Sequence, residues 1–234
     1  SAITIFPIAN LMGKEAQSPE GDAPYEMDQK SLATHEQVGD VYGLAYQPAT
    51  KSMYAAAFVK YSNKPDGKAL PNGAGAIYRI PVAGSLPTLF AVVPDVGAMT
   101  GVNGTISRAD VGTVGLGDIE VAEDGQSLYA LNIGGKKLVQ IPLVGNPPVA
   151  GTQQAVALPQ PADCSVADTH PFGLALHNKN LYVGMVCGGP SNNDLKGYVY
   201  EFNGSAFAQK LNFPLNYARA TENTLLSPAG NNNH

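Results

Sequence analysis

The sequence predicts an all-β fold, and three observations support this: low charge, many turn residues and a repeated strand pattern. Only 14% of the 234 residues are charged, against about 25% in average soluble domains. The 26 glycines and 18 prolines are typical of short strands joined by tight turns. Hydrophobic residues make up 44% of the chain, a share that supports a packed core.

Three segments of the chain share one strand pattern. In each, an apolar strand enters a short polar turn and returns as a second strand with tyrosine near its start. Leu44, Ile119 and Leu174 align in the first strand, and Tyr54, Tyr129 and Tyr182 align in the second. A third strand then closes each unit, at 76–82, 137–143 and 197–202. A recurring unit of this kind predicts the four-stranded blades of a β-propeller.

We interpret residues 1–234 as a single propeller-like domain with three clear units and a partial one. The units span about 38–95, 112–145 and 168–205. Long loops are predicted at 60–74, 96–113 and 145–169.

The two ends of the chain are predicted to supply the partial unit. Leu211–Leu215 looks like the start of a fourth unit, and Ala2–Ile8 looks like a strand that pairs with the C-terminal region. Residues 13–37 are predicted to be loop. Because a closed propeller has at least four blades, we expect a small ring, an open ring or one completed by another chain.

Charge and hydropathy argue against nucleic-acid binding and against a transmembrane segment. The net charge is −5, and no run of Lys or Arg forms the basic stripe that nucleic-acid binding requires. No apolar run approaches the roughly 20 residues of a transmembrane helix. We therefore predict neither nucleic-acid binding nor a transmembrane segment.

The two cysteines, Cys164 and Cys187, are predicted to form a disulfide. A single cysteine pair in a Gly- and Asn-rich chain favours an oxidising compartment, so we expect an extracellular or cell-surface location. The alternative is two unpaired thiols.

Three aspartates are candidate calcium ligands. Asp40 and Asp118 hold equivalent places at the start of their units, where carboxylate oxygens from several blades would bind a cation near the propeller axis. The alternative is that each accepts backbone N–H groups in a turn. Asp110 is a further candidate, although the D-x-D-x-D-G spacing of a dedicated calcium loop is missing.

Asp163, Asp168 and His170 form a candidate ligand-binding loop beside Cys164. No C-x₂-C pair points to zinc. No G-x-S-x-G elbow is present, and no Ser/His/Asp order with the required context, so no catalytic residue is assigned.

Five strings resemble one known family. They are Val41–Tyr46, Gly75–Tyr78, Val114–Ile119, Leu181–Gly189 and Phe213–Tyr217. They are similar to the propeller-like N-terminal regions of large bacterial surface proteins that continue into Ig-like repeats of the serine-aspartate-repeat (SdrD) type. The resemblance covers about residues 38–219, and it implies a cell-surface or extracellular place and a role in attachment or assembly. It brings no catalytic residues with it.

We therefore predict a non-enzymatic extracellular surface module for adhesion or subunit assembly. The expected partners are protein subunits, either a second copy or another surface protein, or a surface glycan. One alternative is a carbohydrate- or calcium-binding propeller module. Another is a metal-dependent, lactonase-like propeller hydrolase.

Overall fold

A computed structural model describes residues 3–5, 30–61, 70–101, 105–188 and 195–216. Within these ranges the chain forms two four-stranded antiparallel sheets, a five-stranded sheet whose outer strand is divided in two, and a two-stranded sheet, with a single short α-helix. None of the sheets closes into a barrel. The prediction of an all-β fold of propeller-like blades is confirmed.

The N-terminal part forms the two-stranded sheet and leads into the first blade. The two-stranded sheet contains β1 (Ile3–Ile5) and β2 (Lys30–Ala33), and the helix α1 (His35–Val38) follows it. The first blade contains β3 (Val41–Gln47), β4 (Ser52–Ala57), β5 (Ala76–Pro81) and β6 (Thr88–Val92), in that order across the sheet. We call the two-stranded sheet the partial blade.

The second blade has a divided outer strand. Its strands are β7 (Leu116–Val121), β8 (Ser127–Asn132), β9 (Lys137–Val144), β10 (Val149–Ala150) and β11 (Gln154–Ala157). Both β10 and β11 pair with β9, and the break between them lies opposite Ile141 and Pro142. Proline has no N–H to donate to a strand ladder, which accounts for the break.

The third blade repeats the order of the first. It contains β12 (Thr169–His177), β13 (Asn180–Cys187), β14 (Lys196–Phe202) and β15 (Phe207–Pro214). The turn before β15 is held by the Asn203 Oδ1, which accepts hydrogen bonds from the N–H groups of Ser205 and Ala206.

Strand pairing corrects the predicted bounds of the units. Leu211–Leu215, expected to begin a fourth unit, lies mostly in β15 and pairs with β14, because the Asn203 turn folds it back onto the third blade. The range 145–169, expected to be loop, contains β10 and β11. The second sheet therefore extends to Ala157 and the third to Pro214.

The N-terminal predictions are corrected as well. Among the described residues, Ile3–Ile5 pairs with Lys30–Ala33, and Lys30–Ala33 lies inside the range 13–37 that was expected to be loop. Of the predicted loops 60–74 and 96–113, residues 62–69 and 102–104 lie outside the described residues.

The first strands of neighbouring blades lie side by side, with glycine at the closest approach. A Cβ added to Gly43 would lie 2.8 Å from the Gly117 carbonyl oxygen and 2.8 Å from the Ile119 nitrogen. One added to Gly117 would lie 2.7 Å from the Phe172 carbonyl oxygen. Only glycine leaves room for backbones this close, so these positions fix the packing of β3 on β7 and of β7 on β12.

Apolar layers fill the space between blades. Ile77 and Tyr54 of the first blade pack with Ile119 and Leu128 of the second. Leu131 and Leu138 of the second blade pack with Val183 and Tyr198 of the third. Burial of such side chains is the main stabilising contribution to an assembly of sheets.

Hydrogen bonds between the first hairpin turns join successive blades. The Gln47 Nε2 of the first blade donates to the Gly125 carbonyl of the second at 2.8 Å. The Lys179 N–H of the third blade donates to the Glu123 Oε1 of the second at 2.9 Å. Each blade is therefore linked to its neighbour at the same end of its first hairpin.

The partial blade packs on the far side of the first blade. Ile3, Leu32, Ala33 and Val38 form an apolar cluster with residues of β4 and β5. In the described ranges, no helix is long and apolar enough to cross a bilayer.

Candidate functional site

Asp110, a predicted calcium ligand, organises its own loop. Its side chain accepts hydrogen bonds from the Thr100 N–H at 2.9 Å, the Thr100 hydroxyl at 2.7 Å, the Ser107 N–H at 3.0 Å and the Gly101 N–H at 3.3 Å. The residue is 1% exposed. Burial alone would raise the pKa of Asp110, but these hydrogen bonds lower it below its ordinary value.

Asp118 joins two blades. Its Oδ2 accepts a hydrogen bond from the Leu174 N–H of the third blade at 3.3 Å, and its Oδ1 accepts one from the Ile119 N–H at 3.0 Å. Burial raises the pKa of Asp118 despite these hydrogen bonds. Burial, together with the nearby Asp118 charge, also raises the pKa of Glu120.

Asp40 and the three residues of the predicted ligand loop each contact a different protein group. Asp40 is 3.5 Å from the His35 Nε2. Asp163 contacts the Lys196 ammonium at 2.6 Å and the Tyr198 hydroxyl at 2.8 Å, and these two hydrogen bonds lower its pKa. Asp168 accepts from the Ser165 hydroxyl at 2.6 Å, whereas the His170 Nδ1 is 3.3 Å from the Gly112 carbonyl.

No group of three or more His, Cys, Asp or Glu side chains that could hold a metal ion occurs within the described residues. Asp110, Asp118, Asp163 and Asp168 accept hydrogen bonds from protein groups. For Asp118 the donors are backbone N–H groups, which is the alternative role raised from the sequence. Calcium and glycan binding stay predictions.

The predicted disulfide is confirmed. Cys164 and Cys187 are bonded, with their Cα atoms 5.9 Å apart. The bond fixes the segment before β12 to the end of β13.

A cleft of about 430 Å³ lies beside this bond, between the second and third blades. Lys136 lines it and donates to the carbonyl oxygens of Val166 and Thr169. Burial lowers the pKa of Lys136, while the Asp168 charge opposes this. Gln160 donates to the Cys164 carbonyl at 2.6 Å and the Thr169 hydroxyl at 2.8 Å. Because these polar groups hydrogen-bond to one another, they stabilise the contact between the second and third blades.

The first blade has an uncovered apolar stripe on its first strand. Leu44 and Tyr46 alternate along β3 and are exposed. Tyr42 lies beyond a bulge between Val41 and Leu44, and its ring packs on Phe58 and Phe172. The aligned positions are covered elsewhere: Leu44 is 45% exposed, against 0% for Ile119 and 5% for Leu174. In the second and third blades this position packs against the preceding blade. We call Leu44 and Tyr46 the first-blade face.

The third blade has an uncovered apolar face on its opposite side. Val186, Gly197 and Phe213 lie opposite one another across β13, β14 and β15, so they share a face. Val186, Leu211 and Phe213 are 37%, 55% and 42% exposed. Gly173 lies on the first strand of this blade, and a Cβ added there would meet no atom within 4 Å. We call Val186, Leu211 and Phe213 the third-blade face.

These two faces were not predicted from the sequence as sites. The signal was present in Val41–Gln47, where large apolar side chains occupy the face of the strand that points away from Ala45. A strand that is apolar on both faces is expected to be covered on both faces.

No protein-family model matches the chain. Three curated relatives come from Dictyostelium discoideum. Colossin-A is 24% identical over 222 residues, which is 86% of this chain and 2% of that protein. Colossin-C is 27% identical over 202 residues, and Colossin-D is 25% identical over 205 residues. These matches cover 81% and 80% of this chain and 20% of each relative. The chain thus spans 20% or less of these relatives. They are not bacterial surface proteins, so the bacterial resemblance stays a prediction.

Among solved structures, the chain is similar to a Bacteroides uniformis protein assigned as a 6-phosphogluconolactonase. The sequences are 13% identical, and the match covers 73% of this chain and 55% of the other. The TM-score is 0.31. A likeness this distant carries no argument about fold or activity.

Proposed function

We propose that the chain is a non-enzymatic extracellular module for attachment and subunit assembly, and that its uncovered blade faces are the binding surfaces. The observation that supports this is the exposure of Leu44 beside the burial of Ile119 and Leu174 at the aligned positions. At this aligned position the side chain packs against the preceding blade in the second and third blades. In the first blade no described blade covers it. A protein partner would supply that cover.

The physical gain from covering these faces is hydrophobic. Full burial of a Leu or Phe side chain contributes about 1.5–3 kcal/mol relative to leaving it exposed. Because Leu44, Tyr46 and Phe213 are roughly half exposed, each would contribute about 1 kcal/mol on docking. Several such contacts offset the loss of freedom on association only when they are covered together.

The faces are better docking surfaces than the outer strand edge. In the pairing of β14 with β15, Lys210 is the extra residue of a bulge, and Pro214 ends the strand. Bulges, lysine and proline all discourage the pairing of an exposed edge with another strand. Partners are therefore expected to pack on the sheet faces.

The disulfide supports the extracellular part of the proposal. Disulfides persist in oxidising compartments and are rare in the cytosol. In the structure Cys164 and Cys187 are bonded to each other, and no free cysteine is found in the chain.

The experiment is to measure the solution mass by light scattering over a range of protein concentrations. We expect the mass of the wild-type chain to rise above that of a monomer as concentration increases. In the double variant Leu44→Asp/Phe213→Asp the mass is expected to stay that of a monomer, because each face would then carry an unpaired charge. Leu86→Asp is the matched control, since Leu86 is 73% exposed but lies in the β5–β6 turn, away from both faces.

Two outcomes would contradict the proposal. One is a wild-type chain that stays monomeric at every concentration. The other is association that Leu86→Asp abolishes as well as the double variant does. Repeating the series in a calcium chelator separates a cation-bridged contact, which chelation abolishes, from apolar docking, which survives it.

A further inference from the structure

The position of the partial blade follows from chain order. In the described chain, the outer strand of each blade precedes the first strand of the next: β6 comes before β7, and β11 before β12. In the same way β2 comes directly before α1 and β3. Chain order therefore gives β2 the outer position of a blade that precedes the first one, and its partner β1 the third position.

Two strand positions of this preceding blade are unfilled by the described residues. They are the first and second positions, next to β1 and over the first strand of the first blade. The burial pattern agrees: Ala55, Tyr78 and Ile80, beneath the partial blade, are at most 2% exposed, whereas Leu44 and Tyr46 remain open. Neighbouring strands of a sheet are hydrogen-bonded about 4.8 Å apart, so a two-stranded hairpin would supply both positions.

A whole blade does not fit in this gap. Ile3, Leu32 and Ala33 already cover the centre of the first blade's outward side. A four-stranded sheet, such as the third blade of a second copy, would have to displace them. A hairpin fits beside them and leaves the apolar cluster intact.

The other blade contacts define the chemistry of the missing hairpin. The hairpin of β3 and β4 turns Ala45, Tyr54 and Ala56 toward Ile119 of the second blade. The hairpin of β7 and β8 turns Tyr129 and Leu131 toward Leu174 of the third. Each has a tyrosine on its second strand and an aliphatic residue two positions later. The missing hairpin would present the same pair to Leu44 and Tyr46.

We propose that the first-blade face binds a β-hairpin of a separate polypeptide, which pairs beside β1 and completes the partial blade. This inference rests on the proposed function and names the class of partner for one of its two faces. Backbone pairing to a strand edge with side-chain packing on an adjacent face is a known mode of peptide recognition.

The chain itself supplies a probe. Residues 40–58 form the first hairpin of the first blade, and the Phe58 N–H donates to the Asp40 carbonyl at 2.8 Å, which places the two ends together. A synthetic peptide of these residues, closed by a disulfide between cysteines added at its ends, is pre-organised as a hairpin. Leu44→Lys and Tyr46→Thr in the peptide make its outward side polar, and circular dichroism checks that it is folded.

The test titrates the labelled peptide with the full 234-residue chain by fluorescence anisotropy. We expect saturable binding and a rise in the melting temperature of the chain. Leu44→Asp and Tyr46→Asp in the chain are each expected to weaken binding at least about tenfold, and Tyr54→Asp in the peptide should do the same. Leu86→Asp in the chain is the control and should bind the peptide with unchanged affinity, because Leu86 is exposed in the turn between β5 and β6.

Failure of this inference is distinguishable from failure of the proposed function. A folded peptide that does not bind, or that binds Leu44→Asp and wild type equally, would overturn the hairpin proposal. If the chain still self-associates and Phe213→Asp reduces that association, the proposed function stands without the hairpin proposal. Equal loss of peptide binding in Leu86→Asp would also overturn the inference, because Leu86 is not part of the first-blade face.

Discussion

At the scale of single residues, Asp110 shows how a buried carboxylate can look like a metal ligand in a sequence. Four donors from Thr100, Gly101 and Ser107 surround it. The sequence shows an aspartate in a Gly-rich loop, but it does not show which N–H groups come within 3 Å. The sequence identified Asp110 as a candidate functional residue, but it did not identify the groups that donate hydrogen bonds to it.

Asp110→Ala is expected to lower the free energy of unfolding by about 3 kcal/mol, because buried donors lose a charged acceptor. Urea unfolding measures the loss. Asp124→Ala is the control, since the exposed Asp124 accepts only a local hydrogen bond from the Gln126 N–H, and it should cost less than about 1 kcal/mol. An equal cost for both variants would contradict the role given to Asp110.

Asp118 and Glu120 predict a dependence of stability on pH. A carboxyl whose pKa is raised in the folded state contributes most stability below its unfolded pKa of about 4, and this contribution is lost as pH rises through the folded pKa. Asp118→Asn keeps the acceptor for the Leu174 N–H and removes the charge that raises the pKa of Glu120. We expect the variant to gain stability relative to wild type as pH rises above about 4.

Urea midpoints of both proteins from pH 4 to pH 7 provide the measurement. Comparison with wild type at each pH removes the opposite contributions of Asp110 and Asp163, whose pKa values are lowered. Parallel curves for the two proteins would show that Asp118 does not titrate in this way.

At the scale of strands and loops, the inner strands were predictable and the outer ones were not. Alternating burial in β3 and β13 follows the period-two pattern that identifies strands. Every residue of β11 is exposed, and nearly every residue of β15 is too. A strand with both faces near solvent has no reason to alternate, which is why Gln154–Ala157 was expected to be loop.

The glycines of the first strands give a matched pair of substitutions. Gly43→Ala would place a methyl group 2.8 Å from backbone atoms of the next blade, so we expect a loss of about 2 kcal/mol from overpacking. Gly173→Ala enters open space and should change stability by less than about 0.5 kcal/mol. Chemical unfolding of both variants checks this, and a larger cost at Gly173 would contradict the described packing of the blades.

The disulfide gives a prediction at the same scale. Cys164 and Cys187 are 23 residues apart, and closing a loop of this length contributes about 3 kcal/mol in the chain-entropy description. Cys164→Ala/Cys187→Ala should lose about that amount. Reductant should destabilise the wild type and leave the double variant unchanged. Reduction that frees both thiols without lowering the urea midpoint would count against the prediction.

At the scale of the whole molecule, the repeat predicted the blades, but it did not predict how the ends are arranged. Spacing between Leu44, Ile119 and Leu174 gives the number of units. It does not say which strands of a partial unit are present, because three-residue β1 and four-residue β2 are too short to show a periodic pattern.

Contacts mainly between neighbouring blades predict a gradient of local stability. Repeat proteins lose structure from their uncovered ends, and the units covered on both sides are the most protected. Hydrogen exchange followed by mass spectrometry should find the slowest amides in β8 of the second blade and faster exchange in β14 of the third. Equal protection of these two strands would show that the sheets open together.

The contacts between blades also have a direction. Between the first strands and first hairpins of neighbouring blades, the earlier blade provides a side chain or an empty glycine site, and the later blade provides a backbone group: Gln47 binds the Gly125 carbonyl, Glu123 binds the Lys179 N–H, and Gly43 admits the Gly117 carbonyl. An array of blades joined by such contacts has polarity. One end presents side chains and glycine sites, and the other end presents backbone groups. The two faces are therefore unlike, and a molecule that blocks one of them leaves the other free to bind its own partner.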